Sequence, residues 1–266
     1  MCAKAVVDGL ILREYRTEND KILTILTSNG RISVSAKGAK SPRSQMLSVT
    51  NLFTYGNFEY YEKGGRKWLS SGTANERFLS LMTDIRSAAL ASYIAELAIE
   101  ISGEDMDCDD ILRMTLNTLY VLNERLKPYD QIKAVYEIFA ADISGFLPSI
   151  DMCRICGKKT GEGCDTLWLD VMNGAVICDD CIGRERPLGE IPDVDELMTR
   201  NIYLPLDMSA LAAMKHVLGA PMKRKFAFAL TDPDSMARFA RAAETYLINH
   251  LERSFDSLEF YRSCKE

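Results

Sequence analysis

Eight cysteines occur in this chain of 266 residues, and four of them form two Cys-x-x-Cys pairs, Cys153/Cys156 and Cys178/Cys181, with twenty-one residues between the pairs. Each pair sets two thiolates about a metal diameter apart, and Gly157 after Cys156 and Gly183 near Cys181 ease the tight backbone of such a knuckle. Two knuckles closing on one Zn2+ give a tetrahedral four-thiolate site with Zn–S of about 2.3 Å, the structural type with no open coordination position. The expectation is one structural zinc ion and no catalysis at the metal. Arg154, Lys158, Lys159, Arg184 and Arg186 stand nearby to offset the residual charge. A thioredoxin-like dithiol is the competing reading, but that chemistry uses a single pair at a strand-to-helix junction, not two knuckles joined by a glycine-rich hairpin. Cys164 is a substitute ligand without a close cysteine partner, and Cys2, Cys108 and Cys264 read as ordinary thiols.

The second group able to do chemistry is cationic. The whole chain carries 32 Lys/Arg against 38 Asp/Glu, a net −6, yet residues 1–80 hold twelve cations against seven carboxylates. From Lys21 to Phe58 there are five cations and no carboxylate. Charges separated by more than about 8 Å are largely screened at physiological salt, so a local positive face can bind a polyanion although the molecule is acidic. Lys37, Lys40 and Arg43 share one loop, and Arg13, Arg16 and Arg31 extend it toward single-stranded nucleic acid. The plain alternative is a solvated loop. Phe53, Tyr55, Phe58 and Tyr60 read as core more than as stacking platforms, and Lys223-Arg224-Lys225 is a second cationic candidate.

The elements that must position these groups follow from periodicity. Residues 5–12, 21–26, 31–36, 52–62 and 67–73 read as strands, with a hairpin at Asn29-Gly30, a turn at Gly64-Gly65 and a bulge at Gly56. Five short strands suit a small closed barrel. From about Glu76 the period becomes helical: Leu90, Ile94, Leu97 and Ile101, then Leu112 through Leu126, then Ile132 through Ile143. Short helices are expected at Asp193–Arg200 and Ser209–Leu218, and a long one from Asp234 to about Phe255. The fold class is thus α+β: a barrel over 1–78, a helical domain over 79–266, and a zinc ribbon inserted at about 150–186.

Several functions are excluded or disfavoured. No Gly-x4-Gly-Lys-Ser/Thr phosphate loop occurs, so ATP hydrolysis is not indicated. His216 and His250 have no nucleophile arrangement around them, and Asp105, Asp107, Asp109 and Asp110 read as a solvated connection. No apolar run reaches the ~18 residues of a membrane span, and the first residues lack a signal-peptide h-region, so a soluble cytoplasmic protein is expected.

Taken in order along the chain, these residues resemble the RecO family of bacterial recombination mediators. The resemblance rests on Ala5–Arg13 with Glu18–Leu26, on Asn29-Gly-Arg31 leading to Ala36–Arg43, on Gly145-Phe-Leu-Pro148 before the first knuckle, and on Tyr246–Leu251 with Ser257–Phe260. It implies an OB-fold barrel, a helical domain carrying a zinc ribbon, and DNA repair and recombination in the cytoplasm, on the nucleoid. It further implies binding of single- and double-stranded DNA, annealing of complementary strands, and loading of RecA together with RecR on DNA coated by single-stranded DNA-binding protein. The family's basic loop falls on Lys37, Lys40 and Arg43. For the acidic tail of single-stranded DNA-binding protein, the expected dock is an apolar groove between the first and third helices, with Arg125 or Lys133 meeting its carboxylates. The competing function is a zinc-ribbon adaptor that contacts only proteins.

Overall fold

A computed structural model describes residues 4–17, 20–39, 41, 44, 46–163, 166–185 and 202–264. The chain begins with β1 (Lys4–Arg16), β2 (Lys21–Thr27), β3 (Gly30–Ala36), β4 (Thr54–Lys63) and β5 (Arg66–Arg77). They close into a barrel in the order β1-β2-β3-β5-β4. All pairings are antiparallel except β3 with β5, where Val34 and Ser35 meet Lys67 and Trp68 and complete the ring. Alternation sends Ile11, Leu23, Ile25, Val34, Phe58 and Leu69 inward to form the barrel core. The expected bulge is present: register shifts between Tyr55 and Gly56, and a Cβ on Gly56 would lie 2.2 Å from the Thr73 carbonyl oxygen.

Helices follow. α1 (Ile85–Ile101) starts where the Asp84 carboxylate accepts from the backbone N–H of Arg86 and Ser87, and it buries Leu90, Ile94 and Leu97 completely. α2 (Asp109–Asn123) buries Leu112, Thr115, Leu119 and Leu122. It stops short of Leu126, because Arg125 takes a left-handed φ of 53° and leaves Leu126 55% exposed. The β2–β3 hairpin is clamped to the α1–α2 loop: Arg31 N donates to Gly103 O at 2.8 Å and Cys108 N to Ser28 O at 2.7 Å. Only glycine suits position 30 there, since φ is +111° and a Cβ would lie 2.8 Å from the Asp105 nitrogen.

By compactness the chain divides into two units. One unit runs to Lys127 and takes back the segment from Phe255 on; the other spans Pro128–Ser254. The reason is packing: α1 and α2 lie on β1 and β2, and the Phe255 ring meets Tyr93 at 5.8 Å.

The second unit is built around α3 (Tyr129–Ile143), whose residues Gln131 to Ala141 are all buried. Beyond it come β6 (Ser149–Cys153), β7 (Thr166–Asp170), β8 (Ala175–Cys178), α4 (Asp179–Glu185), β9 (Tyr203–Asp207), α5 (Met208–Gly219) and α6 (Pro233–Leu251). The sheet order is β6-β8-β7-β9. β9 was not expected from the sequence; it pairs antiparallel with β7 and carries Pro205 on an edge strand, where a missing N–H is tolerated. The expected helix at Asp193–Arg200 lies outside the described residues. α6 ends at Leu251 instead of Phe255, with Glu252 left-handed at φ 50°. Among the described residues, no helix is long and apolar enough to cross a membrane.

Candidate metal centre and nucleic-acid interface

The four cysteines meet. Cys153 closes β6, Cys178 closes β8, and the parallel pairing of these strands sets Cys153 beside Val176. After Cys153 the chain turns sharply: Gly157 N donates to Cys153 O at 2.9 Å, Cys153 N donates to Lys158 O at 2.8 Å, and Gly157 sits at φ +71°. Cys181 follows Cys178 by most of a turn of α4. The four Sγ atoms lie within 4.8 Å of one another, with Cys156 and Cys178 at 3.8 Å. Sulfurs about 2.3 Å from a shared tetrahedral centre are about 3.8 Å apart, so the cage fits one ion of the four-thiolate type. Cys153, Cys178 and Cys181 are buried and Cys156 is exposed.

Ionisation of the cage is uneven. Burial opposes a thiolate at Cys153, but N–H donors from Cys156, Cys178 and Ile155 outweigh it and draw its pKa down to about 6. Burial pushes the Cys178 thiol up, and the neighbouring sulfurs push it further. Four adjacent thiols can lose all their protons only with a cation among them, and that donor set suits a metal ion. Arg154 Nη2 donates to the buried Asp170 carboxylate at 3.1 Å, which also accepts from Asn173 Nδ2 at 2.8 Å. Lys158 Nζ is directed at Gly163 O. Cys164, Cys2, Arg186 and the Arg184 side chain lie outside the described residues.

The cations scatter more than the sequence suggests. Lys37 is exposed in the turn after β3, whereas Lys40 and Arg43 lie outside the described residues. Arg31 is half-buried on β3 and Arg13 exposed on β1. Arg16 is exposed but its Nε donates to Glu14 at 2.7 Å, so part of its charge is already answered. Phe53 and Phe58 are core, as expected, while Tyr55 and Tyr60 are half-buried. The sequence reading passed over Arg66 and Lys67, which open β5 and line the same depression as Arg31. Their charge was visible; what brings them there is the β3–β5 closure.

Two expectations are corrected. Lys133 is no partner-facing cation: its side chain is 3% exposed and its Nζ lies 2.8 Å from Glu137 and 2.6 Å from Glu244. Burial favours the neutral amine, yet the two carboxylates outweigh it and raise the lysine pKa. Arg125 is exposed just beyond the end of α2, at a left-handed φ of 53°. Lys225 likewise is buried, donating to Val217 O at 2.7 Å near the end of α5, which leaves Lys223 and Arg224 exposed from that triplet.

Comparison with known proteins agrees with this architecture. The family model for the N-terminal part of recombination protein O matches residues 4–77, and that for its C-terminal part matches residues 82–182. The DNA repair protein RecO of Acetivibrio thermocellus is 23% identical over 257 residues, 96% of this chain and 95% of that protein. Those of Listeria monocytogenes serotype 4b and Listeria innocua are 31% identical over 189 residues, 70% of this chain and 72% of each relative.

Proposed function

The chain belongs to the RecO family, and from that premise we propose that it is a non-enzymatic mediator of DNA repair and recombination. It binds single- and double-stranded DNA and anneals complementary strands. With RecR it loads RecA on DNA coated by single-stranded DNA-binding protein, in the cytoplasm. The observation that carries the DNA-binding reading is a closed barrel with a surplus of five positive charges over residues 1–80 in a chain that is otherwise acidic.

The mechanism follows from charge. Two strands approaching each other repel through their phosphates. Lys37, Arg31 and Arg13, with Lys40 and Arg43 of the same loop, replace the counterions on one strand and lower that repulsion while a second strand samples registers. No bond is made or broken by the protein. Cys153, Cys156, Cys178 and Cys181 would hold Zn2+, which supplies folding energy to the ribbon and no reactive position.

The test is a titration of labelled oligo(dT) and an annealing assay over a range of salt. If about four phosphates are neutralised, log K should fall with log salt at a slope near −3. Lys37→Ala/Lys40→Ala/Arg43→Ala should flatten that slope and slow annealing. Salt-insensitive or absent binding at low salt would refute the mediator reading and favour a protein-only adaptor.

A further inference from the structure

We propose that a single strand runs over the outer face of the barrel beside the β4–β5 hairpin, with phosphates in the depression between β3 and that hairpin and a base stacked on Trp68. The inference rests on the DNA-binding reading above and deepens it, because it assigns a path and a reason to prefer unpaired bases.

Val34 and Ala36 point into the core, so Arg31, Ser33 and Ser35 alternate outward along β3. With Arg66, Lys67 and Glu104 they line a depression of about 480 Å3. Three of these six side chains are cations and two are hydroxyls. Among the described residues, Arg66 and Lys67 take part in no ion pair. The Arg31 Nε is buried and has no hydrogen-bond partner among the described residues. Arg31 also lines the depression, where its guanidinium is placed to meet an anionic oxygen. Glu104 is the one carboxylate at the site, and it is exposed.

The register across β4 and β5 supplies the aromatic half. Tyr60 pairs with Leu69, and both pack on the barrel core. The next pair, Tyr61 opposite Trp68, therefore faces out. Trp68 is also the register partner of Ser35, which lines the depression, and Tyr61 is that of Lys4 on β1. A half-buried indole beside a track of cations is the arrangement on which unpaired bases stack. Bases inside a duplex are already stacked on each other and have no free face to offer, so this contact discriminates single strands from double.

The chain has two tryptophans, so Trp168→Phe leaves Trp68 as its only indole. Oligo(dT) added to that variant at low salt is expected to quench its emission in step with binding, while a duplex of equal length leaves it unchanged. Arg66→Ala/Lys67→Ala should flatten the salt slope for oligo(dT) by about 1.4, two phosphates at roughly 0.7 each. Trp68→Ala should weaken oligo(dT) about five- to 150-fold, with Trp68→Phe recovering most of the loss. Glu104→Gln should tighten binding. If oligo(dT) binds with the usual salt dependence but Trp68 emission is constant and the Arg66/Lys67 variant keeps its slope, this path is wrong while the mediator reading stands. If wild type does not bind oligo(dT) at low salt, both fall. Binding of thymidine monophosphate as tightly as oligo(dT) would also overturn the path, making the depression a mononucleotide site.

Discussion

Replacing Lys133 by methionine removes a buried ammonium while nearly preserving volume, and the geometry around it sets the size of the effect. Glu137 is completely buried, its carboxylate 2.8 Å from the Lys133 Nζ, whereas the Glu244 side chain is 22% exposed and can turn toward water. The loss is therefore dominated by the buried Glu137 carboxylate losing the Lys133 ammonium, about 3–5 kcal/mol. That is a large share of the ~5–15 kcal/mol available to a domain. Urea unfolding followed by Trp168 emission in a Trp68→Phe background reports on the Pro128–Ser254 unit, and its midpoint should fall accordingly. Adding Glu137→Leu to Lys133→Met should recover most of the loss, because an apolar pair replaces an ion pair. The pH dependence has a definite sign. The raised lysine pKa means that this stabilisation is fully present below the unfolded value of 10.5 and is lost as pH rises through the higher folded value. The methionine variant should lack that alkaline loss. A midpoint within about 0.5 kcal/mol of wild type would refute the reasoning. So would unchanged stability with lost binding of an acidic peptide, which would return Lys133 to a partner-facing role.

At the cysteine cage, purified protein should contain one zinc ion by atomic absorption. Cys153→Ser, or chelation of wild type, should abolish it and expose the ribbon to protease while leaving the barrel's Trp68 emission intact; metal retention by Cys153→Ser would contradict the four-thiolate reading. In the barrel, burial alone would raise the Glu14 pKa, but Lys21 and Arg16 outweigh it and hold it below 4.5. The associated stability is present above pH 4.5 and is lost as pH falls through the lower folded value, so Glu14→Gln should flatten the acid limb of barrel unfolding; an identical acid limb in the variant would count against the pairing.

The places where sequence reading succeeded share a feature: the partners are close along the chain or the pattern is imposed by one exposed face. The Asn29-Gly30 hairpin, the Gly56 bulge and the apolar stripes of α1 and α2 all belong here. Lys133 shows the opposite case. A helical period separates an apolar stripe from a wet one only when one side meets water, and α3 is buried from Gln131 to Ala141. Its lysine looked like a surface cation because nothing nearby in sequence reveals Glu244. β9 escaped for a related reason: Tyr203–Asp207 is short, contains a proline, and becomes a strand only because the edge of β7 is there to pair with it.

From the chain of letters alone came the class of fold, the four thiols and the basic bias of the first eighty residues, since spacing, turn chemistry and charge are properties of neighbours. The tertiary structure decided that Lys133 and Lys225 are buried, that α1 and α2 share a unit with the barrel, and that Arg31, Arg66 and Lys67 line one depression with Ser35, the register partner of Trp68. Those outcomes depend on strand register and on which surfaces exclude water. Both are settled between residues far apart in sequence, where no local pattern carries the information.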